Sequence, residues 1–203
     1  MPARHGLTVR MARTKAFDEN EVLKKAVFLF WEKGFAGTSL PDLINGLGIS
    51  RSSLYDTFGD KHQLYLKALK SYKNTYGDHV SALTQECFSA KDAVAALLTM
   101  VINSPLKGER PRGCFMVNAS IELGDHDSQV NTLVFETEKQ LERTFLKLIL
   151  KGQEDGEISK DKNAPALARF LNITVKGLQV SAKSTTEPLL FEEVVRVAVT
   201  VLD

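Results

Sequence analysis

The chain has only two cysteines in 203 residues, Cys87 and Cys114. Two thiols do not make a disulfide framework, so a hydrophobic core has to hold the fold and a reducing cytoplasm is the simplest compartment. No apolar run approaches the ~18 residues that suggest a membrane span, and the basic start MPARHGLTVRMARTK has no apolar signal core. No stretch alternates convincingly like a strand and no internal repeat appears, which leaves helices. The four histidines, His5, His62, His79 and His126, share no ligand spacing, and Asp125-His126-Asp127 reads as a solvated loop before it reads as a metal site. GLGIS (46–50) lacks the lysine and the preceding strand of a phosphate-binding loop, and no Ser-His-Asp or Cys-His arrangement can be placed. The expectation is therefore an all-α protein with no metal, no cofactor, no membrane partner and no enzymatic activity.

Net charge is also scarce, at +1, but it is unevenly spread. Residues 1–76 hold 12 Lys+Arg against 7 Asp+Glu, a balance of +5, and residues 77–203 hold 14 against 18, a balance of −4. An asymmetry of this kind fits a domain that faces nucleic acid joined to one that does not.

The most specific segment is TSLPDLINGLGISRSSLYDTFGDK, residues 38–61. Ser39 is a good N-cap, with Asp42 three residues on to complete a capping box and Pro41 in the first turn, where a missing N–H does little harm. Leu40, Leu43, Ile44 and Leu47 recur at helical spacing. Gly46 and Gly48 are both candidates to end that helix at positive φ, and Ile49 plugs the turn. Ser50 caps a second short helix with Leu54 and Phe58 inward and Arg51, Ser52, Ser53 and Tyr55 available outward. Gly59 ends it and Asp60 caps a third, which carries Lys61 in its first turn. Two short helices about a glycine turn make a helix-turn-helix, which reads DNA by laying its second helix in the major groove. Hydroxyls and free N–H groups at that helix's start suit phosphate and base-edge contacts. A lysine opposing the dipole of the following helix makes sense against a phosphate. The same geometry also occurs in helix pairs that never touch DNA.

The run from Ala16 to about Tyr72 resembles the N-terminal domain of the TetR family of transcriptional regulators. The matching pieces are FWEKGFAGTS (Phe30–Ser39), DLINGLGIS (Asp42–Ser50) and SLYDTFGDKHQLYLKAL (Ser53–Leu69), in order and at the right spacing. Pro41 and the acidic Asp56 on the recognition helix depart from the family's usual residues. The resemblance implies an all-helical homodimer that binds double-stranded DNA, with three N-terminal DNA-binding helices and a larger C-terminal domain for dimerisation and a small-molecule effector. In this chain the parts are a flexible basic arm (1–16), a helix-turn-helix domain (17–60), a connecting helix (61–76) and an effector and dimerisation domain (77–203). The expected DNA contacts are Thr38, Ser39, Ser50, Arg51, Ser52, Ser53, Tyr55 and Lys61. The expected action is repression of a near-palindromic operator, relieved by the effector.

In the arm, Arg4, Arg10, Arg13 and Lys15 suit phosphates or a minor groove, and equally a solvated tail; Met11 is an alternative start. Asp18 to Glu21 open a first helix with Val22, Ala26, Leu29 and Phe30 inward, and Trp31 and Phe35 fill the N-terminal core. Leu64, Ala68, Leu69 and Tyr72 form the inward stripe of the connecting helix. Residues 91–104 predict a helix and 105–111 a loop. GCFMVNASIELG (113–124) predicts an apolar helix buried on most sides. A long helix starts at Asp127 or Ser128 and runs to about Lys151, a polar loop spans 152–163, and helices at 164–184 and 188–202 finish the chain.

The last helix is apolar on two faces, Leu190, Val194, Val197 and Val201 on one and Phe191, Val195, Ala198 and Leu202 on the other. One face suits the subunit's own core and the other a partner subunit, so Leu190, Phe191, Val194, Val195, Ala198 and Val201 are the dimerisation candidates. The effector candidates are Leu97, Met100, Val101, Cys114, Phe115, Asn118, Phe135, Phe170, Thr174 and Leu178. Cys114 matches a Gly-Cys-x-x-x-Asn pattern found in part of the family. With Arg110 and Arg112 nearby it suits an electrophile or oxidant sensor, and it equally suits a small buried hydrophobe. Asn118 and Glu122 suit effector bonds or the capping of neighbouring backbone. Two readings from other classes use the same residues: a helical enzyme with Cys114 as nucleophile, and a helical adaptor that does not bind DNA.

Overall fold

The computed structural model describes residues 17–103 and 112–203, with side chains throughout except at 101–103. The basic arm, the 105–111 loop, Arg110 and the side chain of Val101 lie outside the described residues. Among those described there are helices and no strands: α1 (Glu19–Lys33), α2 (Leu40–Leu47), α3 (Arg51–Phe58), α4 (Lys61–Glu86), α5 (Ala90–Asn103), α6 (Phe115–Leu123), α7 (Ser128–Glu154), α8 (Ala164–Ser181), α9 (Pro188–Val199) and a closing 3₁₀ turn (Thr200–Leu202). None of these helices is long and apolar enough to cross a membrane.

Side-chain caps set most of the starts. The Asp18 carboxylate accepts from the Asn20 amide at 2.8 Å, Asp60 from Gln63 at 2.8 Å, and Asn163 from Ala166 at 3.0 Å. At α2 the capping box is complete: the Asp42 amide donates to Ser39 Oγ at 3.2 Å, and the Ser39 amide donates to Asp42 Oδ2 at 2.9 Å. Gly48, not Gly46, takes the left-handed conformation that ends α2, with φ 69°.

Three spans differ from the sequence reading. α4 continues ten residues beyond Tyr76, because Val80 and Leu83 extend its inward stripe past Gly77. A glycine inside a helix weakens it by about 1 kcal/mol, and the packing of Val80 and Leu83 into the second core carries α4 past Gly77 all the same. α7 runs on to Glu154, and the following segment is not simply polar. Ile158 is buried, and Gln153 donates to the carbonyls of Ser159 and Lys162, both at 2.9 Å. On α6, Phe115, Met116 and Ala119 are buried, but Ile121 is 72% exposed, so this helix has one buried side only.

Two hydrophobic cores result, and their boundary does not follow the chain. The first joins α1–α4 residues such as Phe30, Trp31, Leu54, Leu64 and Tyr72 to Cys114, Phe115, Met116 and Ala119 of the α6 segment and Val130 to Val134 of α7. Trp31 is thus shared: its ring meets Tyr72 edge-on at 5.2 Å and stacks on Phe115 at 6.4 Å, and its Nε1–H donates to the Arg112 carbonyl at 3.3 Å. The second core holds Val94, Leu97, Phe145, Ile149, Leu171, Leu178, Phe191 and Val195.

Two carboxylates tie the first core's surface together. Lys33, at 2.5 Å, and the hydroxyl and amide of Ser39 hold the Asp42 carboxyl well below its usual range. At Asp127 burial works against the charge, but the amides of Val130 and Gln129 and the ring of His62, at 2.5 Å, outweigh it and keep that carboxyl low as well. A carboxyl depressed in the folded state contributes stability above its unfolded value of about 3.9, and the contribution is lost as pH falls through the folded value. The melting temperature should therefore drop as pH falls below about 4. Asp127→Asn keeps a good N-cap but cannot titrate, so thermal scans should show a shallower drop; an acid slope identical to the parent's would remove Asp127 from the account.

Candidate DNA interface and effector cleft

α3 is held by its apolar side. Leu54 and Phe58 are buried against α1 and α4, and Ile49 seals the turn before them. The Lys67 ammonium donates to the Thr57 carbonyl at 3.2 Å, neutralising the C-terminal end of α3, and sits 5.2 Å from the Phe58 ring centroid. What remains outward is Arg51, Ser52, Tyr55 and Asp56. The Arg51 guanidinium lies over the Tyr55 ring at 5.7 Å, so the two side chains support one another on the exposed face. Ser50 caps the helix through the Ser53 amide at 3.1 Å, and its hydroxyl meets those of Ser52 and Ser53, each at 2.9 Å. A row of hydroxyls at a helix N-terminus next to a guanidinium is a surface for phosphate and base edges.

Two of the sequence candidates sit differently. Thr38 is fully buried and donates its hydroxyl to the Gly34 carbonyl at 2.6 Å, so it shapes the α1–α2 corner and does not reach a ligand. The Lys61 ammonium lies 4.4 Å from the Phe35 ring centroid, which supplies a partner for the charge at the start of α4. Ser39 is exposed at the N-terminus of α2 with its hydroxyl on Asp42.

The corner is clamped from below. Gly34 closes α1 at φ 75°, and the Glu122 carboxylate, at the end of α6, accepts from the backbone amides of Phe35 at 2.9 Å and Ala36 at 2.7 Å. A Cβ on Gly34 would lie 2.9 Å from Glu122 Oε2. Glu122 therefore caps neighbouring backbone, the second of the two roles its sequence position allows. Asn118 does likewise: its amide donates to the Arg112 carbonyl at 2.9 Å and its Oδ1 accepts from Lys183 at 3.3 Å.

A narrow cleft with about 40 Å³ of accessible space, open to solvent on one side, lies between α4, the start of α6, α7 and α8. Tyr72, Tyr76, Met116, Val134, Leu141 and Val175 make its walls, and Glu138 and Lys176 form an ion pair in it at 2.8 Å. Burial raises the hydroxyl pKa of both tyrosines, so both stay protonated. Of the nine effector candidates whose side chains are described, only Cys114 lines this cleft. Phe115 is locked in the aromatic cluster, with Tyr65 and Tyr72 at 5.6 and 5.7 Å. Leu97 and Leu178 belong to the second core, and Met100 lines a separate groove with His79 and Leu83. Phe135 and Phe170 are about half exposed, and the Thr174 hydroxyl is spent on the Phe170 carbonyl at 2.9 Å. The missed residues left a signal: Tyr72 and Tyr76 stand at i, i+4 on one helix, and Asn172 and Gln179 interrupt the buried stripe of α8.

Cys114 is the N-cap residue of α6 and is buried; burial pushes its thiol up, against the amides of Val117 and Met116 and the Tyr72 hydroxyl 3.6 Å from Sγ. A thiol held protonated is the opposite of an activated nucleophile, and the sensor and enzyme readings lose their chemical support at this residue. Cys87 is likewise pushed up by burial.

On α9 the two apolar faces are resolved. Phe191, Val195 and Ala198 are buried in the subunit's own core, contrary to their expected place in a dimer contact, and Val201 is partly buried there. Leu190, Val194 and Val197 face outward, joined on α8 by Phe170 and Ile173, neither of which the sequence marks for this role.

The chain matches two known domain families. Residues 22–68 match the N-terminal domain described as "Bacterial regulatory proteins, tetR family", and residues 90–198 match the "Tetracyclin repressor-like, C-terminal domain". It is 37% identical to the HTH-type transcriptional regulator YezE of Bacillus subtilis, over 95% of this chain and all of that one. It is 30% identical to the HTH-type transcriptional repressor ComR of Escherichia coli, over 94% of this chain and 90% of that one. A solved structure of the TetR family regulator CifR, a cysteine mutant in complex with 26-bp operator DNA, superposes with a TM-score of 0.84 at 29% identity, covering 95% of this chain and all of that one. With the exposed face of α3 mounted on this fold, the chain belongs to the TetR family of DNA-binding transcriptional regulators.

Proposed function

We propose that this protein is a homodimeric repressor that grips a near-palindromic operator with two copies of α3 and lets go when a small molecule enters the cleft beside Tyr72 and Tyr76. The exposed Arg51–Tyr55 face carries the reading, because nothing else among the described residues of the subunit covers it. Two-fold symmetry places the recognition helices about 34–36 Å apart in successive major grooves. Ser39, Ser50, Ser52 and Ser53 meet the backbone, Arg51 and Tyr55 meet base edges, and Lys61 reaches a phosphate across the Phe35 ring. That ComR is named a repressor and CifR is seen on operator DNA supports the assignment. DNA of this kind is met in the cytoplasm.

The route from cleft to DNA is short. Tyr72 and Tyr76 lie on α4, whose first turn packs beside α3, and Met116 and Val117 lie on α6, whose far end carries Glu122 and so the α1–α2 corner. An effector that favours a displaced α4 or α6 favours the state in which the two α3 helices no longer fit successive grooves.

Binding of duplex DNA selected by the purified protein from a random pool tests this. Tyr55→Ala should lower affinity about 10- to 100-fold by removing contacts worth roughly 1–3 kcal/mol, with an unchanged melting temperature because Tyr55 is exposed. Lys61→Ala should weaken all sequences alike and reduce the salt slope by about 1. Parental affinity in Tyr55→Ala would refute Tyr55 as a contact, and a parental salt slope in Lys61→Ala would remove that lysine from the phosphate set.

A further inference from the structure

All but one of the cleft's polar side chains have a neighbour to satisfy them. The Tyr72 hydroxyl is bonded to Cys114 Sγ, the Tyr76 hydroxyl to Gln179, Lys176 to Glu138, and the Thr137 hydroxyl donates to the Leu133 carbonyl at 2.8 Å. Asn172 is the exception. It sits in the middle of α8, lines the cleft and is 5% exposed, and its buried Oδ1 has no hydrogen-bonding partner among the described residues. A buried amide left unpaired disfavours the fold, so the surrounding packing gives no reason for a polar residue there.

We propose that Asn172 is the effector-recognition residue of this cleft, and that the effector is a small neutral molecule whose apolar body, no larger than one ring, enters as α4 and α6 part from the present 40 Å³ of accessible space, and whose one hydroxyl hydrogen-bonds the Asn172 amide. This rests on the reading of the cleft as the effector site. The neutral charge follows from the ion pair: Lys176 and Glu138 already neutralise one another, and a charged ligand would be desolvated with no free counter-charge. The apolar body follows from the walls, where the rings of Tyr72 and Tyr76 and the side chains of Met116, Val134, Leu141 and Val175 take a flat or compact hydrocarbon. The hydroxyl follows from the amide, since a group that both donates and accepts satisfies either end of it.

Phenol and toluene are a matched pair of probes, alike in shape and different in the one group at issue. Calorimetric titration of the dimer at millimolar probe should show phenol binding about tenfold or more tightly than toluene, the difference made by one buried hydrogen bond. In Asn172→Leu the preference should vanish or reverse. The ligand-free variant should melt no lower than the parent, because exchanging an unpaired buried amide for an apolar side chain of similar size removes an unsatisfied group. A parent that binds both probes equally or neither, a phenol preference that survives in Asn172→Leu, or a variant that melts well below the parent would each overturn the assignment. DNA affinity measured beside the titration separates the two readings. Asn172-dependent phenol binding that releases DNA supports both; the same binding with DNA affinity unmoved supports the ligand site and overturns its coupling to DNA.

Discussion

Val197→Asp should turn the dimer into folded monomers at micromolar concentration and lower operator affinity by about two orders of magnitude or more. Val197 is 64% exposed in the isolated subunit, on an α9 face with Leu190 and Val194, and the neighbouring α8 also exposes Phe170 and Ile173. Exposed apolar side chains along one helix face suit an interaction surface, and two-fold symmetry makes it self-complementary: each copy presents the same residues to the other. A carboxylate at 197 is then desolvated twice and meets its own image or near-image across the axis. The subunit itself tolerates the change, because its own core uses the opposite face, Phe191, Val195 and Ala198. The effect on DNA is a loss of linkage. When one half-site is bound, the second α3 is presented at high effective concentration, and that advantage, worth about 10²–10⁴ in affinity, disappears with the dimer. Sedimentation equilibrium, circular dichroism and anisotropy titrations on full and half operators measure the three parts. A dimer mass at parental concentration would show that the pairing surface lies elsewhere.

Elements specified by local chemistry are legible in the amino-acid sequence. Ser39, Asp42, Pro41, Ser50, Asp60 and Asp127 announce helix starts through interactions within four residues of themselves, and each stands at such a start in the fold. The inward stripe of α4 at Leu64, Ala68, Leu69 and Tyr72 is equally plain, because amphipathic periodicity is also local. Features that depend on pairs distant in sequence are not legible in this way. Which face of α9 is core cannot be read from a helix apolar on both. The cleft exists because Tyr72, Met116, Val134 and Val175, each an ordinary core residue by sequence, converge on one space. Apolar character places Phe135 and Phe170 among the effector candidates, and apolar character is shared by core, cavity and interface alike. Thr38 enters the DNA set through its place beside Ser39, although its hydroxyl is committed to the Gly34 carbonyl and its methyl to the interior.

Gly34→Ala should be strongly destabilising, for a reason that joins the two parts of the molecule. The residue sits at φ 75° and ψ 174°, a region essentially reserved for glycine, where a Cβ costs about 1–3 kcal/mol by itself. That Cβ would also stand 2.9 Å from Glu122 Oε2, inside contact distance, so the carboxylate has to move off the amides of Phe35 and Ala36. Hydrogen bonds to a charged acceptor contribute about 1.5–3 kcal/mol each, and a partial loss of both adds to the backbone strain. A total of roughly 3–5 kcal/mol corresponds to a melting temperature lower by about 10 °C for a chain of this size. Glu122→Ala removes the same two bonds without the strain, and it also makes room for the methyl. In the Glu122→Ala background, Gly34→Ala should therefore cost only the backbone strain of about 1–3 kcal/mol, and the pair should be clearly less than additive in urea unfolding. Additive losses would mean that the two residues act independently and that α6 does not hold the corner. Because that corner leads directly into Ser39 and α2, Glu122→Ala should also weaken DNA binding while leaving α3 intact, since a recognition helix on a loosened frame meets the groove less often in the right pose. The glycine and the glutamate, 88 residues apart in the chain, thus form one fitting, and on the proposed function its stiffness is what would carry an event beside Tyr72 to Tyr55.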